Sequence, residues 1–303
     1  MAEEKKFDLE STLITLPELN QAFEAAGYIS DQEIVTTVYL ALKLEKPLLI
    51  EGAPGVGKTE IAKVLSKIFD TELIRLQCYE GLDENKALYE WNYQRQLLKI
   101  QMTREAEKIS EKDIFSLEYL LERPLLKSML APKRPVLLID EIDKTDEEFE
   151  AFLFEVLSDF QISIPELGTI KANDIPIVVL TSNNDRELSE GLRRRCVYLY
   201  IDYPSIEKET IIIKTKLPGI NEKFAAEIAA AIAHLRSSLN LQKQPSIAET
   251  LDWAKALLAM HAEYLDPELI NKTIGLLLKK RDDLKIFANE LGAQGLQDAL
   301  KKT

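Results

Sequence analysis

The sequence predicts an α/β fold: a parallel, doubly wound sheet with a glycine-rich loop after an early strand, followed by a second domain built only of helices. Three observations predict it. Short apolar runs alternate with stretches of helical period as far as residue 203, GAPGVGKT stands at Gly52 to Thr59, and no strand candidate follows Pro204.

From Asp31 to Glu45 the apolar residues Ile34, Val35, Val38, Leu42 and Leu44 recur at helical spacing, and Ser30 or Asp31 offers the N-cap. Pro47 through Glu51 holds the apolar run Leu48-Leu49-Ile50 and is ended by Gly52, the pattern of a strand buried on both faces. Lys58 to Phe69 returns to helical period, and Thr71 to Leu76 reads as a second strand. The alternation continues with a strand at Pro135 to Ile139, a helix at Asp146 to Phe160, and strands at Ile175 to Leu180 and Val197 to Ile201. Two segments interrupt it. Cys78 to Met102, with Tyr79, Tyr89, Trp91 and Tyr93, reads as an insertion, and Gln161 to Asn173 alternates around Gly168 as a short hairpin. Beyond Pro204 the stretches Ser205 to Lys216, Glu222 to Leu239, Ile247 to Leu265 and Pro267 to Leu278 are all helix-like. The expected division is therefore an α/β domain over 1–203 and a helical domain over 204–303.

A chain of 303 residues with 46% hydrophobic content can bury a substantial core. Lys+Arg number 38 against Asp+Glu 51, and the net charge of −13 argues against a nucleic-acid partner, because that field repels a phosphate backbone. Cys78 and Cys196 stand far apart with no CxxC or Cys/His cluster, so they read as half-buried thiols rather than a disulfide or zinc framework. The charged stretch Met1 to Glu10 lacks the apolar core of a secretory signal, and no apolar run nears the ~20 residues of a membrane span. A cytoplasmic location is expected.

Gly52 to Thr59 (Gly52, Ala53, Pro54, Gly55, Val56, Gly57, Lys58, Thr59) matches GxxxxGK[ST] between a buried strand and a helix start, where that pattern has to lie. Its glycines let the backbone curl so that N–H groups converge with the helix N-terminus on a polyphosphate. Lys58 is then expected on the β/γ-phosphates of ATP, with the Thr59 hydroxyl as a ligand of Mg²⁺. The run Val136-Leu137-Leu138-Ile139-Asp140-Glu141 ends an apolar strand in two carboxylates at the sheet edge where α/β folds bind ligands. Asp140 suits Mg²⁺, a hard cation that prefers oxygen and keeps part of its water. Glu141 suits the role of orienting or deprotonating the attacking water. Asp143 reads as a solvated helix cap. Ile177 to Asn183 is another apolar strand with a polar end, and Asn183 is placed to bond the γ-phosphate or the attacking water. Arg193-Arg194-Arg195 can meet neighbouring carboxylates, or one of the three can reach the nucleotide of an adjacent subunit as an arginine finger.

This set of motifs, with LLIDE, a strand ending in TSN, arginine at the edge of the last strand and an all-helical tail, resembles the AAA+ ATPases along essentially the whole chain. The segments YEWNYQRQLLKIQ, ISIPELGTIKA and QPSIAETLDWAKAL are similar to the MoxR branch, and most similar to its carbon monoxide dehydrogenase maturation ATPases. The resemblance implies a five-stranded parallel sheet with a helical lid, ATP held between them, and a homo-oligomeric ring, usually a hexamer. It assigns Asn183 the sensor role and Arg194 or Arg195 the finger. It also implies a chaperone-like remodeller that works with a von Willebrand factor A domain protein on a client metalloenzyme or complex. One departure stands out: Pro245-Ser246-Ile247-Ala248-Glu249 has no arginine where many relatives carry a second sensor, which leaves Arg236 as a substitute or a different coupling.

His234 and His261 have no partner at metal-ligand spacing and read as surface or boundary residues. Tyr89, Trp91 and Tyr93 read equally as core or as a contact surface, Trp253 as core of the helical domain, and Tyr28 with Ile29, ahead of the first helix, as a platform for adenine. A DNA-directed motor of helicase or restriction type is the alternative function, opposed by the acidity and by the lack of a basic-aromatic tract. A small-molecule phosphotransferase is a third, opposed by Glu141 beside Asp140 and by the length of the helical tail.

Overall fold

The computed structural model describes residues 14–103 and 114–301; the reading of Met1 to Glu10 lies outside them. The chain forms two compact units, one of 1–52 with 58–200, the other of 53–57 with 201–303.

In the first unit the strands β1 (Leu48–Gly52), β2 (Leu73–Gln77), β5 (Val136–Asp140), β8 (Ile177–Ser182) and β9 (Val197–Ile201) form one sheet in the order β2-β5-β8-β1-β9. The pairings of β1 with β8, β2 with β5 and β5 with β8 are parallel, so the five-stranded parallel sheet is present. β1, β5 and β8 are buried at every residue, which is why they read as continuous apolar runs. β2 lies at an edge of the sheet and alternates instead, with Ile74 and Leu76 buried and Arg75 and Gln77 exposed. It runs one residue beyond the predicted Leu76.

The insertion contains a short helix Glu84–Ala87, then β3 (Tyr89–Trp91) paired antiparallel with β4 (Leu120–Glu122), and a helix Tyr93–Thr103. Trp91 is buried and packs edge to face on Phe115 at 5.2 Å, whereas Tyr93 is exposed, so the aromatic residues divide between the two readings. β6 (Gln161–Ile164) and β7 (Gly168–Lys171) form the predicted hairpin.

A helix Leu16–Ala25 precedes the one expected to come first. It carries a complete capping box between Thr15 and Glu18 and Pro17 near its start, a signal present in the sequence. Tyr28 follows it, packed edge to face on Phe23 at 5.6 Å, and burial, with Asp31 and Glu60 nearby, raises its hydroxyl pKa.

In the second unit the helices are Ile206–Lys216, Glu222–Ser238, Ile247–Ala259 and Pro267–Thr273, followed by Arg281–Ile286 and Gly292–Leu300, which lie beyond the predicted set. The helix from Ile247 stops at Ala259 rather than Leu265, because His261 turns left-handed (φ 56°) and its N–H and that of Ala262 bond back to Leu258 and Leu257. Trp253 is fully buried and donates its indole N–H to Thr273 Oγ1 at 2.8 Å, as a core tryptophan should. His234 is half-buried and His261 exposed.

Among the described residues no helix is long and apolar enough to cross a membrane, and no cluster of His, Cys, Asp or Glu could hold a metal ion by itself. Cys78 and Cys196 are free thiols. Cys78 is fully buried rather than half-buried, and burial pushes both up to about 12.

Candidate functional site

Parallel pairing aligns the carboxyl ends of β1, β5 and β8, and the polar residues that close these strands meet there. β1 leads through residues 53–57 into the helix Lys58–Ile68. Gly55 (φ 76°) and Gly57 (φ 101°) take conformations that side-chain-bearing residues rarely adopt, which is what the curl of this loop requires. Lys58 is buried, and its ammonium donates to Gly52 O at 2.6 Å and Asn183 Oδ1 at 2.8 Å. Desolvation lowers its pKa, opposed by the carboxylates of Asp143, Asp140, Glu141 and Asp185.

Asp140 ends β5 with its carboxylate buried. Oδ1 accepts from the hydroxyls of Thr59 at 3.1 Å and Thr181 at 2.6 Å, and Oδ2 accepts from Arg75 Nε at 3.0 Å and Nη2 at 2.5 Å. Glu141 follows in the left-handed region (φ 59°, ψ 51°), a conformation that costs a non-glycine residue about 1–3 kcal/mol. Its N–H donates to Thr181 Oγ1 at 2.9 Å, and its Oε2 accepts from Gln77 Nε2 at 3.0 Å. The turn swings Glu141 off the line of β5, so two successive carboxylates occupy different places.

Asp143 corrects its reading as a solvated cap. It is buried, and its Oδ2 accepts the N–H groups of Asn183 at 3.1 Å and Asp185 at 3.0 Å, fixing the turn after β8. Asn183 is thereby held from its backbone while its side chain meets Lys58. Asp143 Oδ1 is a buried acceptor without a hydrogen-bond partner among the described residues.

The three arginines have different surroundings. Arg193 pairs with buried Glu51 at 2.9 Å, and Tyr198 donates its hydroxyl to the other oxygen of Glu51 at 2.9 Å. Arg195 stacks its guanidinium 3.3 Å from the Phe154 ring and bonds Ser158 at 2.6 Å. Arg194 is 78% exposed and, among the described residues, pairs with Glu190, one turn back on its own helix, at 2.6 Å. In the helical unit Arg236 is committed elsewhere: its Nη1 and Nη2 bond both oxygens of buried Glu209 at 2.7 and 3.0 Å, and its Nε donates to Pro245 O at 2.8 Å. Ser246 and Glu249, noted for the missing arginine, form the capping box of the helix Ile247–Ala259.

Arg75, Gln77, Thr181 and Glu51 had no individual role in the sequence reading. The alternation of Leu73 to Gln77 put Arg75 and Gln77 on one face, but which strand lies beside β2 is not written in that pattern. The hydroxyl of Thr59 and the carboxylate of Asp140, hard oxygen donors within bonding distance of each other, fit the needs of a magnesium ion.

Residues 47–196 match the family profile described as AAA domain (dynein-related subfamily). Over these residues the chain is similar to an AAA domain; its fold is of the AAA+ kind and its activity that of an ATPase. Among individual proteins, it is 25% identical over 236 residues to an uncharacterized protein of Staphylococcus aureus (strain bovine RF122 / ET3-1), covering 76% of this chain and 82% of that one. A counterpart from S. aureus strain USA300 is 26% identical over 238 residues, with the same coverage. The Thermotoga maritima RuvB Holliday junction branch migration motor has a similar fold, with a TM-score of 0.50 and 18% identity over 90% of this chain and 82% of that one.

Proposed function

We propose that this chain is a magnesium-dependent, ring-forming AAA+ ATPase of MoxR type, acting as a cytoplasmic remodelling chaperone. It takes residues 1–203 as its nucleotide-binding domain and 204–303 as its lid. The observation that carries the ATPase half of this reading is the set of bonds joining Lys58 to Asn183, Thr59 to Asp140 and Gln77 to Glu141 at one end of the sheet. In this reading the amides of 53–57 and the Lys58 ammonium bind the phosphates of ATP. Thr59 and Asp140 would hold the magnesium ion, which supplies charge neutralisation of the phosphates when bound. Glu141 accepts a proton from the attacking water or orients it, and Asn183 positions that water or the γ-phosphate. Arg194 or Arg195 stabilises charge at a neighbour's nucleotide. Of the two, Arg194 has the exposed guanidinium, so it is the preferred finger.

The MoxR assignment rests on the sequence segments quoted above, and with it go a hexameric ring, a von Willebrand factor A domain partner and a client metalloenzyme or complex. Gel filtration with and without ATP tests the ring. A chain that stays monomeric with nucleotide, with hydrolysis insensitive to Arg194→Ala and Arg195→Ala, is not such a machine. Affinity capture on Glu141→Gln, held in the ATP-bound state, tests the partner and client.

The second reading is a DNA-directed motor, since the RuvB protein of similar fold is one; at 18% identity the likeness reaches only the fold. The net charge of −13 opposes it. Hydrolysis stimulated by duplex DNA and falling steeply with salt would favour the motor.

A further inference from the structure

Two cations of different kinds compete for Asp140 under the reading just given, and one of them is part of the chain. Gln77 of β2 lies opposite Asp140 of β5, and the two-residue period puts Arg75 on the same face. Arg75 closes on one oxygen, Oδ2, with Nε at 3.0 Å and Nη2 at 2.5 Å, while Oδ1 is taken by the Thr59 and Thr181 hydroxyls. The pair is lopsided: the Asp140 side chain is 4% exposed and that of Arg75 is 54% exposed. A buried carboxylate needs a countercharge or several donors, and here the countercharge comes from a long side chain on an edge strand. Such a side chain can withdraw into water without leaving a buried charge of its own. Nη2 also donates to Gln77 Oε1, so the guanidinium keeps one acceptor outside Asp140.

We propose that Arg75 is a built-in countercation for Asp140 that occupies Oδ2 in the metal-free chain and thereby sets the magnesium concentration at which the nucleotide site loads. The proposal rests on Asp140 as a magnesium-holding residue. A guanidinium and a divalent ion on one carboxylate repel each other, so Arg75 loosens its hold on Oδ2 when an ion is held on the side of Thr59. Arg75 is thus a positioning residue: it preserves the Asp140 rotamer while the site is empty, and its release is part of the work of loading.

The test titrates MgCl2 into the full chain with a fluorescent ADP analogue, for the parent protein, Arg75→Gln and Arg75→Lys. Arg75→Gln, which keeps length and loses charge, is expected to reach half-saturation at about threefold to fivefold less magnesium. Arg75→Lys, which keeps the charge, should stay within about twofold of the parent. The melting temperature in EDTA should fall in Arg75→Gln and recover toward the parent value with magnesium and ADP; a purely structural role would lower both alike. Half-saturation in Arg75→Gln equal to or above that of the parent overturns the proposal, as does an Arg75→Lys protein that matches Arg75→Gln. Should the parent itself bind no ADP analogue with magnesium, the functional reading fails first, and the proposal with it.

Discussion

Each unit of the molecule buries a carboxylate against an arginine, and the two pairs differ in one respect. In the helical unit Glu209 is wholly buried and Arg236 is 8% exposed; both oxygens are met bidentately, Thr250 adds a bond to Oε1 at 2.7 Å, and the guanidinium lies 4.5 Å from the Tyr203 ring. In the α/β unit only the acid is buried, and Arg75 stands half in water. When both partners are desolvated, removing either strands a charge, so the pair is a fixed structural element. When the cation is exposed, it leaves no buried charge of its own, so the pair can exchange one cation for another provided the second takes its place beside the buried acid. The sealed pair joins two helices of its unit, and the open pair joins two strands at whose carboxyl ends the motifs lie.

The largest effect expected in the open region is on hydrolysis. Glu141→Gln should lower phosphate release by about 10²-fold or more while leaving binding of a fluorescent ATP analogue near the parent level. Turnover equal to the parent would remove Glu141 from its assigned place. The sealed pair should dominate stability instead: Arg236→Ala is expected to cost about 3–5 kcal/mol, measured by denaturant unfolding with Trp253 as reporter in a Trp91→Phe background. Ser246→Ala, which removes the cap beside Pro245, should cost the same unit about 1 kcal/mol. Arg75→Ala, breaking the open pair, should change unfolding by no more than about 1 kcal/mol when magnesium and ADP are present to answer the Asp140 charge. A cost for Arg75→Ala as large as that for Arg236→Ala would erase the distinction between the two pairs.

The smallest effect concerns acid. Burial by itself would raise the Glu249 carboxyl, but Lys243 at 2.8 Å and the Ser246 hydroxyl and N–H outweigh it and leave its pKa lowered. A carboxyl lowered in the folded state adds stability that is complete above its unfolded value and is lost as pH falls through the folded value. Glu249→Gln should therefore flatten the acid side of the stability curve of the helical unit, lowering stability near neutrality and leaving it near the parent value at pH below the folded-state pKa. An unchanged acid limb would show that the cap works through its hydroxyl alone.

Much of this was legible along the chain because it depends on neighbours in sequence. The strands of LLIEG, VLLID and IVVLTS show themselves as unbroken apolar runs, since both their faces are buried. The loop at Gly52 to Thr59, the acidic pair after Ile139 and the polar end after Leu180 are set by local spacing, and their chemistry follows from residue type. The capping boxes at Thr15 and Ser246 are of the same kind, although the sequence reading identified neither as a cap.

Long-range placement was not legible. Arg75 and Asp140 are 65 residues apart, Lys58 and Asn183 are 125, and Arg193 and Glu51 are 142. Three adjacent arginines look alike in a string of letters, yet one is tied to buried Glu51, one lies on Phe154 and one faces water. Asp143 looked like a surface cap until the turn after β8 folded over it. Residue type and local period decide which backbone a segment adopts and which chemistry it carries. The order of strands in the sheet decides which charge is desolvated and what answers it, because burial and pairing are properties of neighbours in space.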